Sequence, residues 1–113
     1  MSANTLPQTF AALGDSTRLA ILERLLQGPA NVGELNRPFS ISPPAISRHL
    51  KILENAGLIE RVRNQQQWIC SIRSEGFEDA SVWIEQYRQM WNQQFDALDE
   101  QLKQRTKQSE GTE

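Results

Sequence analysis

Two adjacent prolines, Pro43 and Pro44, head the stretch ISPPAISRHLKILENAGLIERV (residues 41–62). Proline fixes φ near the helical value and has no N–H, so a helix can begin at such a pair but cannot run through it. Ser42 stands just ahead, with a hydroxyl suited to accept from an early helix N–H. A residue before proline avoids the α region, so the helix starts at a slightly strained Pro43 or one residue later. Ile46, Leu50 and Leu53 recur at steps of four and three, which sets one buried face. Ala56-Gly57 ends the helix. Pro44, Ala45, Ser47, Arg48, His49 and Lys51 are then left at its front and flanks.

The rest of the chain can be read around that helix. Leu6, Phe10 and Leu13 predict a short first helix that stops near Gly14. Asp15 caps a second, whose expected apolar stripe is Leu19, Leu22, Leu25 and Leu26, and Gly28-Pro29 ends it. Asn31 and Glu34 have capping-box spacing at the head of a short helix that Pro38 and Ser40 break. LIERVR and QWICSIR flank NQQ, predicting a two-stranded hairpin with Asn64–Gln66 at its tip. A long helix over residues 77–104 closes the order. From Ile84 through Tyr87, Trp91, Phe95 and Leu98 to Leu102 its apolar steps are 3, 4, 4, 3 and 4, close to a 3.5 repeat.

A chain of 113 residues predicts one domain, here residues 1–104 including the long helix, with residues 105–113 as a flexible polar tail. The net charge of −2 conceals a split. Residues 1–74 hold eight Lys/Arg against five Asp/Glu, and residues 75–113 hold four against nine. The two parts are therefore expected to face different partners. No apolar run approaches the roughly 20 residues a membrane span needs, so no membrane partner is expected. MSANTLPQTF does not read as a secretory signal. The single cysteine, Cys70, allows no intrachain disulfide, and a cytoplasmic location fits.

The expected architecture is mainly α with a small β-hairpin wing: a winged helix-turn-helix. In this motif the first turns of the second helix meet base edges in the major groove of double-stranded DNA. Ser42, Pro44, Ala45, Ser47, Arg48, His49 and Lys51 are the candidate contacts, with free N–H groups at the helix head suiting a phosphate. Arg48 suits guanine or phosphate, and Lys51 suits phosphate. His49 either holds a phosphate or braces Asp15 or Arg18 of the second helix. Arg61, Arg63, Asn64, Gln65 and Gln66 would carry the wing to the minor groove or the backbone, unless the glutamines are only a solvated turn.

The segment LGDSTRLAILERLLQGPANVGELNRPFSISPPAISRHLKILENAGLIERVR resembles the ArsR/SmtB family of bacterial winged-helix repressors. The resemblance rests on Asp-x-Thr-Arg-x-x-Ile-Leu, on Ser-Arg-His-Leu-Lys-x-Leu and on the Ala-Gly-Leu-Ile turn into the wing. It covers roughly residues 6 to 73 and implies a homodimer that packs through its first and last helices. Leu6, Phe10, Trp83, Ile84, Tyr87, Trp91, Phe95 and Leu98 are the expected interface. The aromatic face of the last helix, too large for one small domain to cover, agrees. Many members hold metal through cysteines on the short helix, where this chain offers Asn31, Val32 and Gly33. Others use histidine on the last helix, which has none here, so no metal or other cofactor is expected.

The expected function is a sequence-specific transcriptional regulator, a dimeric repressor on an inverted-repeat operator. The alternative is a winged-helix module that docks a partner protein. Room for a small-molecule effector remains, without an identified one. No Gly-rich phosphate loop, metal constellation or nucleophile–base pair supports an enzyme. Cys70 reads as a buried small hydrophobe rather than a redox switch.

Overall fold

A computed structural model describes residues 5–111, with side chains through Thr106. Helices α1 (Thr5–Leu13) and α2 (Ser16–Leu25) lead through a short strand β1 (Ala30–Asn31) into α3 (Val32–Asn36). Then come α4 (Pro43–Asn55), β2 (Ile59–Asn64), β3 (Gln67–Ile72), a 3₁₀ turn (Ser74–Phe77) and α5 (Glu78–Gly111). The sheet is antiparallel in the order β1-β3-β2. This is the winged helix-turn-helix that the element order predicts.

Each helix start has a visible cause. Asp15 accepts from the backbone N–H of Arg18 at 3.1 Å and caps α2. Asn31 Oδ1 accepts from the Glu34 N–H at 2.8 Å, and its Nδ2 donates back to Glu34 Oε1 at 2.9 Å. The capping box is thus closed through the amide of Asn31 rather than through its backbone N–H. α4 begins at Pro43. It ends in a Schellman turn: Gly57 N donates to Glu54 O at 3.0 Å and Leu58 N to Leu53 O at 3.0 Å. Gly57 has φ +77°, which glycine takes without steric cost. Leu53 and Leu58, the hydrophobic pair of that motif, are both fully buried.

Residues 5–80 pack around Ile21, Leu35, Ile46, Leu50, Leu53, Leu58, Ile59 and Cys70, all fully buried. The expected stripe on α2 is corrected. Ile21, Leu22 and Leu25 face the core, whereas Leu19 is 44% and Leu26 77% exposed. The inward arc follows the i, i+1, i+4 set, and Leu26 lies at the C-cap where the helix has already ended. β1 carries no sequence signal, since its two residues are too few to show alternation. It pairs Ala30 with Cys70 and Asn31 with Ile69.

The hairpin tip is shorter than expected. Asn64 pairs with Gln67, leaving Gln65-Gln66 as the turn, with Gln65 at φ 59°. A left-handed glutamine costs about 1 kcal/mol, which the six paired strand positions offset. The base is sewn shut by Arg73 N donating to Leu58 O at 2.9 Å. Beside it Gly76 lies flat on the preceding turn: a Cβ there would stand 1.9 Å from the Gly57 carbonyl oxygen.

The chain divides between Ala80 and Ser81 into two compact units. The side chains of residues 81–106 are all exposed, so this part of α5 has no core of its own. α5 starts after Phe77, which belongs to the 3₁₀ turn, and passes the expected end at 104 to reach Gly111. Good helix formers continue without proline, Lys103 pairs with Asp99 at 3.3 Å, and Thr106 Oγ1 donates to Leu102 O at 3.0 Å. Of the expected flexible tail, residues 112 and 113 lie outside the described residues. Among the described residues no helix is long and apolar enough to cross a membrane.

Candidate nucleic-acid interface

α4 presents a narrow polar front. Ile46, Leu50 and Leu53 are buried, so the opposite side carries Pro44, Arg48 and Lys51, spaced four and three apart and all exposed. Ser47 is exposed on the flank toward the wing, and Ala45 is half-buried on the opposite flank. Ser42 is exposed and accepts from Ala45 N at 3.3 Å. That bond corrects one expectation. Pro43 and Pro44 have no N–H, and Ala45 N also donates to Ser42 O at 3.0 Å. No N–H remains in the first three helical positions for a phosphate. The proline pair fixes where the helix starts and leaves only side chains to offer polar groups at its head.

His49 lies off that polar front. It is half-buried on the flank facing α2, where Nδ1 lies 3.1 Å from Arg18 Nη1 and 3.7 Å from Asp15 Oδ2. The bracing role is the one this geometry supports. Arg18 also donates from Nε to Ala12 O at 2.6 Å and from Nη2 to Ala11 O at 3.2 Å, closing the end of α1. Arg18 N–H bonding, with help from the Arg18 and His49 charges, outweighs partial desolvation and holds the Asp15 carboxyl below the usual range.

Arg61 is likewise occupied. It pairs with Glu54 of α4 at 3.0 Å and ties the wing to the recognition helix. Arg63 is exposed. Its Nε donates to Gln65 O at 3.2 Å, and its guanidinium lies 5.5 Å from the centre of the Trp68 ring. Asn64, Gln65 and Gln66 are exposed at the wing tip. Arg24 pairs with Glu34 and Arg73 with Glu75. Among the described residues, the cations of residues 5–74 left without a carboxylate or imidazole partner are Arg37, Arg48, Lys51 and Arg63. These sit at the turn of the helix-turn-helix, on the front of α4 and on the wing. Arg37 and Trp68 were not foreseen. No sequence pattern marks Arg37, because the fold decides which arginines have a carboxylate at pairing distance.

Leu6 and Phe10 on α1 are half-buried. On α5, Trp83, Ile84, Tyr87, Trp91, Phe95 and Leu98 are all exposed, and the Trp83 and Tyr87 rings stack at 4.6 Å.

Comparison with known proteins bears on this geometry directly. The description "bacterial regulatory protein, arsR family" matches residues 15–61, from the α2 cap into β2. The transcriptional repressor SdpR of Bacillus subtilis is 36% identical over 75 residues, 66% of this chain and 83% of that protein. This chain belongs to the ArsR family. Another relative, the HTH-type transcriptional regulator Rv2034 of Mycobacterium tuberculosis, is 52% identical over 52 residues. That match takes in 46% of this chain and 49% of Rv2034, so the chain spans about half the length of that relative. The crystal structure of the ArsR family transcriptional regulator RHA00566 superposes with a TM-score of 0.72 at 35% identity. It covers 78% of this chain and 97% of its own.

Proposed function

We propose that this ArsR-family chain is a repressor that works as a symmetric pair, occupying an imperfect inverted repeat in a promoter and excluding polymerase. The observation that carries the reading is the exposed Pro44–Arg48–Lys51 front on a helix whose start is fixed by the Ser42 cap. Arg48 reads a base or grips a phosphate, Lys51 grips a phosphate, and Ser47 contacts the flank. Arg63 and the Gln65-Gln66 tip reach the adjoining minor groove or backbone.

Pairing is supported by α5. Its exposed Trp, Tyr, Phe and Leu side chains keep a near-3.5 repeat, the pattern of a helix that packs on another helix. Leu6 and Phe10 of α1 join that interface. Two-fold symmetry places the two α4 helices about 34 Å apart, one turn of duplex, which is why the site should be an inverted repeat. The function is binding rather than catalysis, and the cytoplasm is the compartment it requires.

The test is fluorescence anisotropy with labelled duplex across a salt series, followed by selection of bound fragments from genomic DNA. Affinity should fall steeply with salt, because phosphate contacts release counterions, and the selected fragments should share a two-fold symmetric site. Weak, salt-insensitive association would assign the same face to a protein partner instead.

A further inference from the structure

The wing carries a large aromatic residue where the core has run out. The register sets Ile59 against Ile72, Arg61 against Cys70 and Arg63 against Trp68, so these six side chains share the face turned toward the helices. At the base of the wing that face is core: Ile59 and Cys70 are fully buried. Toward the tip, Trp68 is 43% exposed, with the Arg63 and Arg61 guanidinium groups 5.5 and 5.8 Å from its ring centre. A half-open aromatic flanked by two cations presents an apolar face with positive charge held beside it.

Trp68 lines a cleft of about 480 Å³. Ser47 of α4 forms one wall, Gln66, Gln67 and Arg61 of the wing the other, and Val32-Gly33 the floor. No carboxylate lines it. A second cleft, about 420 Å³, lies at the base of the wing and is lined by Glu54, Glu60 and Glu75 together with Arg61 and Arg73. Its carboxylates outnumber its cations, so the carboxylate-free cleft beside Trp68 is the better host for a phosphate. Arg61 has spent its charge on Glu54, whereas Arg63 uses only Nε internally. Its terminal nitrogens have no partner among the described residues.

We propose that the cleft between α4 and the wing receives one sugar–phosphate strand of the bound duplex, with Trp68 packing on a deoxyribose and Arg63 holding the adjoining phosphate. The proposal rests on the DNA-binding reading above. It assigns Trp68 a direct role in the interface. The ring is an apolar platform for the sugar, and it orients Arg63 by cation–π contact, so less side-chain freedom is lost on binding. Gln66 and Gln67 supply amide donors beside the same phosphate. Because the contact is to the backbone, it adds affinity and register but no base preference.

The test uses the full chain labelled with 5-fluorotryptophan, whose three tryptophans give three ¹⁹F signals. Trp68→Phe assigns the one at issue. A short mixed-sequence duplex is added at low salt, with anisotropy of the labelled duplex read in parallel. The Trp68 signal should move as duplex binds, while those of Trp83 and Trp91 keep their positions. Trp68→Ala should weaken binding roughly tenfold, the scale of one lost aromatic contact, and Trp68→Phe should restore most of it. Arg63→Ala should lower the salt slope by about one per bound wing. If Trp68→Ala fails to fold, the shift in the unaltered chain decides alone. Duplex binding with a stationary Trp68 signal overturns the cleft proposal and leaves the DNA-binding reading intact. Absence of any duplex binding removes that reading instead.

Discussion

His49 and Arg18 meet across the α2–α4 interface, with Nδ1 of the imidazole 3.1 Å from Nη1 of the guanidinium. Arginine carries only N–H donors, so Nη1 is the donor side of this contact. The same guanidinium bonds Ala11 O and Ala12 O. One side chain therefore joins the end of α1, the start of α2 and the flank of the recognition helix. Arg18→Ala leaves two carbonyls and an imidazole without their donor. It should lower stability by about 1–3 kcal/mol in urea unfolding. Operator affinity should fall with it, while the salt slope of binding stays as in the parent. A reduced slope would show that Arg18 touches a phosphate.

Asp15 gives a pH signature. Its carboxyl is held below its ordinary value, chiefly by the Arg18 N–H, with the Arg18 and His49 charges assisting. A depressed acid stabilises the fold in full above its unfolded-state pKa, and that stability is lost as pH falls through the folded-state value. Asp15→Asn keeps the capping oxygen and should flatten this acid-side decline. Asp15→Ala loses the cap and should unfold earlier at neutral pH as well. Urea midpoints at neutral and acid pH check both, and an acid decline as steep in Asp15→Asn as in the parent would refute the assignment.

Arg48 and Lys51 share the front of α4 but should answer mutation differently. Arg48→Ala should cost about 1–3 kcal/mol at the operator and relax preference at one base position. Lys51→Ala should weaken all duplexes alike and reduce the salt slope by about one. Competition between operator and scrambled duplex, run at several salt concentrations, separates the two. Uniform loss on both duplexes for Arg48→Ala would make it a phosphate contact.

Cys70 is fully buried, and burial pushes its thiol pKa up. The thiolate is the reactive form, so iodoacetamide should label the native chain only as fast as the sheet opens. Labelling followed by mass spectrometry should accelerate sharply in urea near the unfolding midpoint. Rapid modification without denaturant would place Cys70 at the surface.

Trp91 is 66% exposed at the middle of the α5 repeat. Trp91→Ala should make sedimentation mass fall on dilution at concentrations where the parent stays paired. An unchanged mass would take this face out of the interface.

Much of the architecture could be read from single residue types at fixed spacing. Asp15, Asn31, Ser42 and Gly57 mark helix ends because each solves a local hydrogen-bonding problem that needs no distant partner. The phase of α2 was misread because leucine alone does not say which side is inward, and Ile21 rather than Leu19 faces the core. What stayed open at the site was decided by pairings between elements. Arg61 and Glu54 lie seven residues apart in sequence, and His49 and Arg18 thirty-one. Which cation is already spent is decided by folding, and no periodicity reveals it. The lost N–H groups at the head of α4 are different. A cap followed by two prolines already implied them, and only the count of donors was missing.

The hairpin leaves and returns at one point: Arg73 N meets Leu58 O at 2.9 Å, and Gly76 lies against the Gly57 carbonyl. Residues added at the Gln65-Gln66 tip would lengthen the arm and leave this root as it is. Reach can therefore drift in descent without disturbing the turn from α4 into β2. A single methyl at position 76 would jam against the Gly57 carbonyl and force that root to shift.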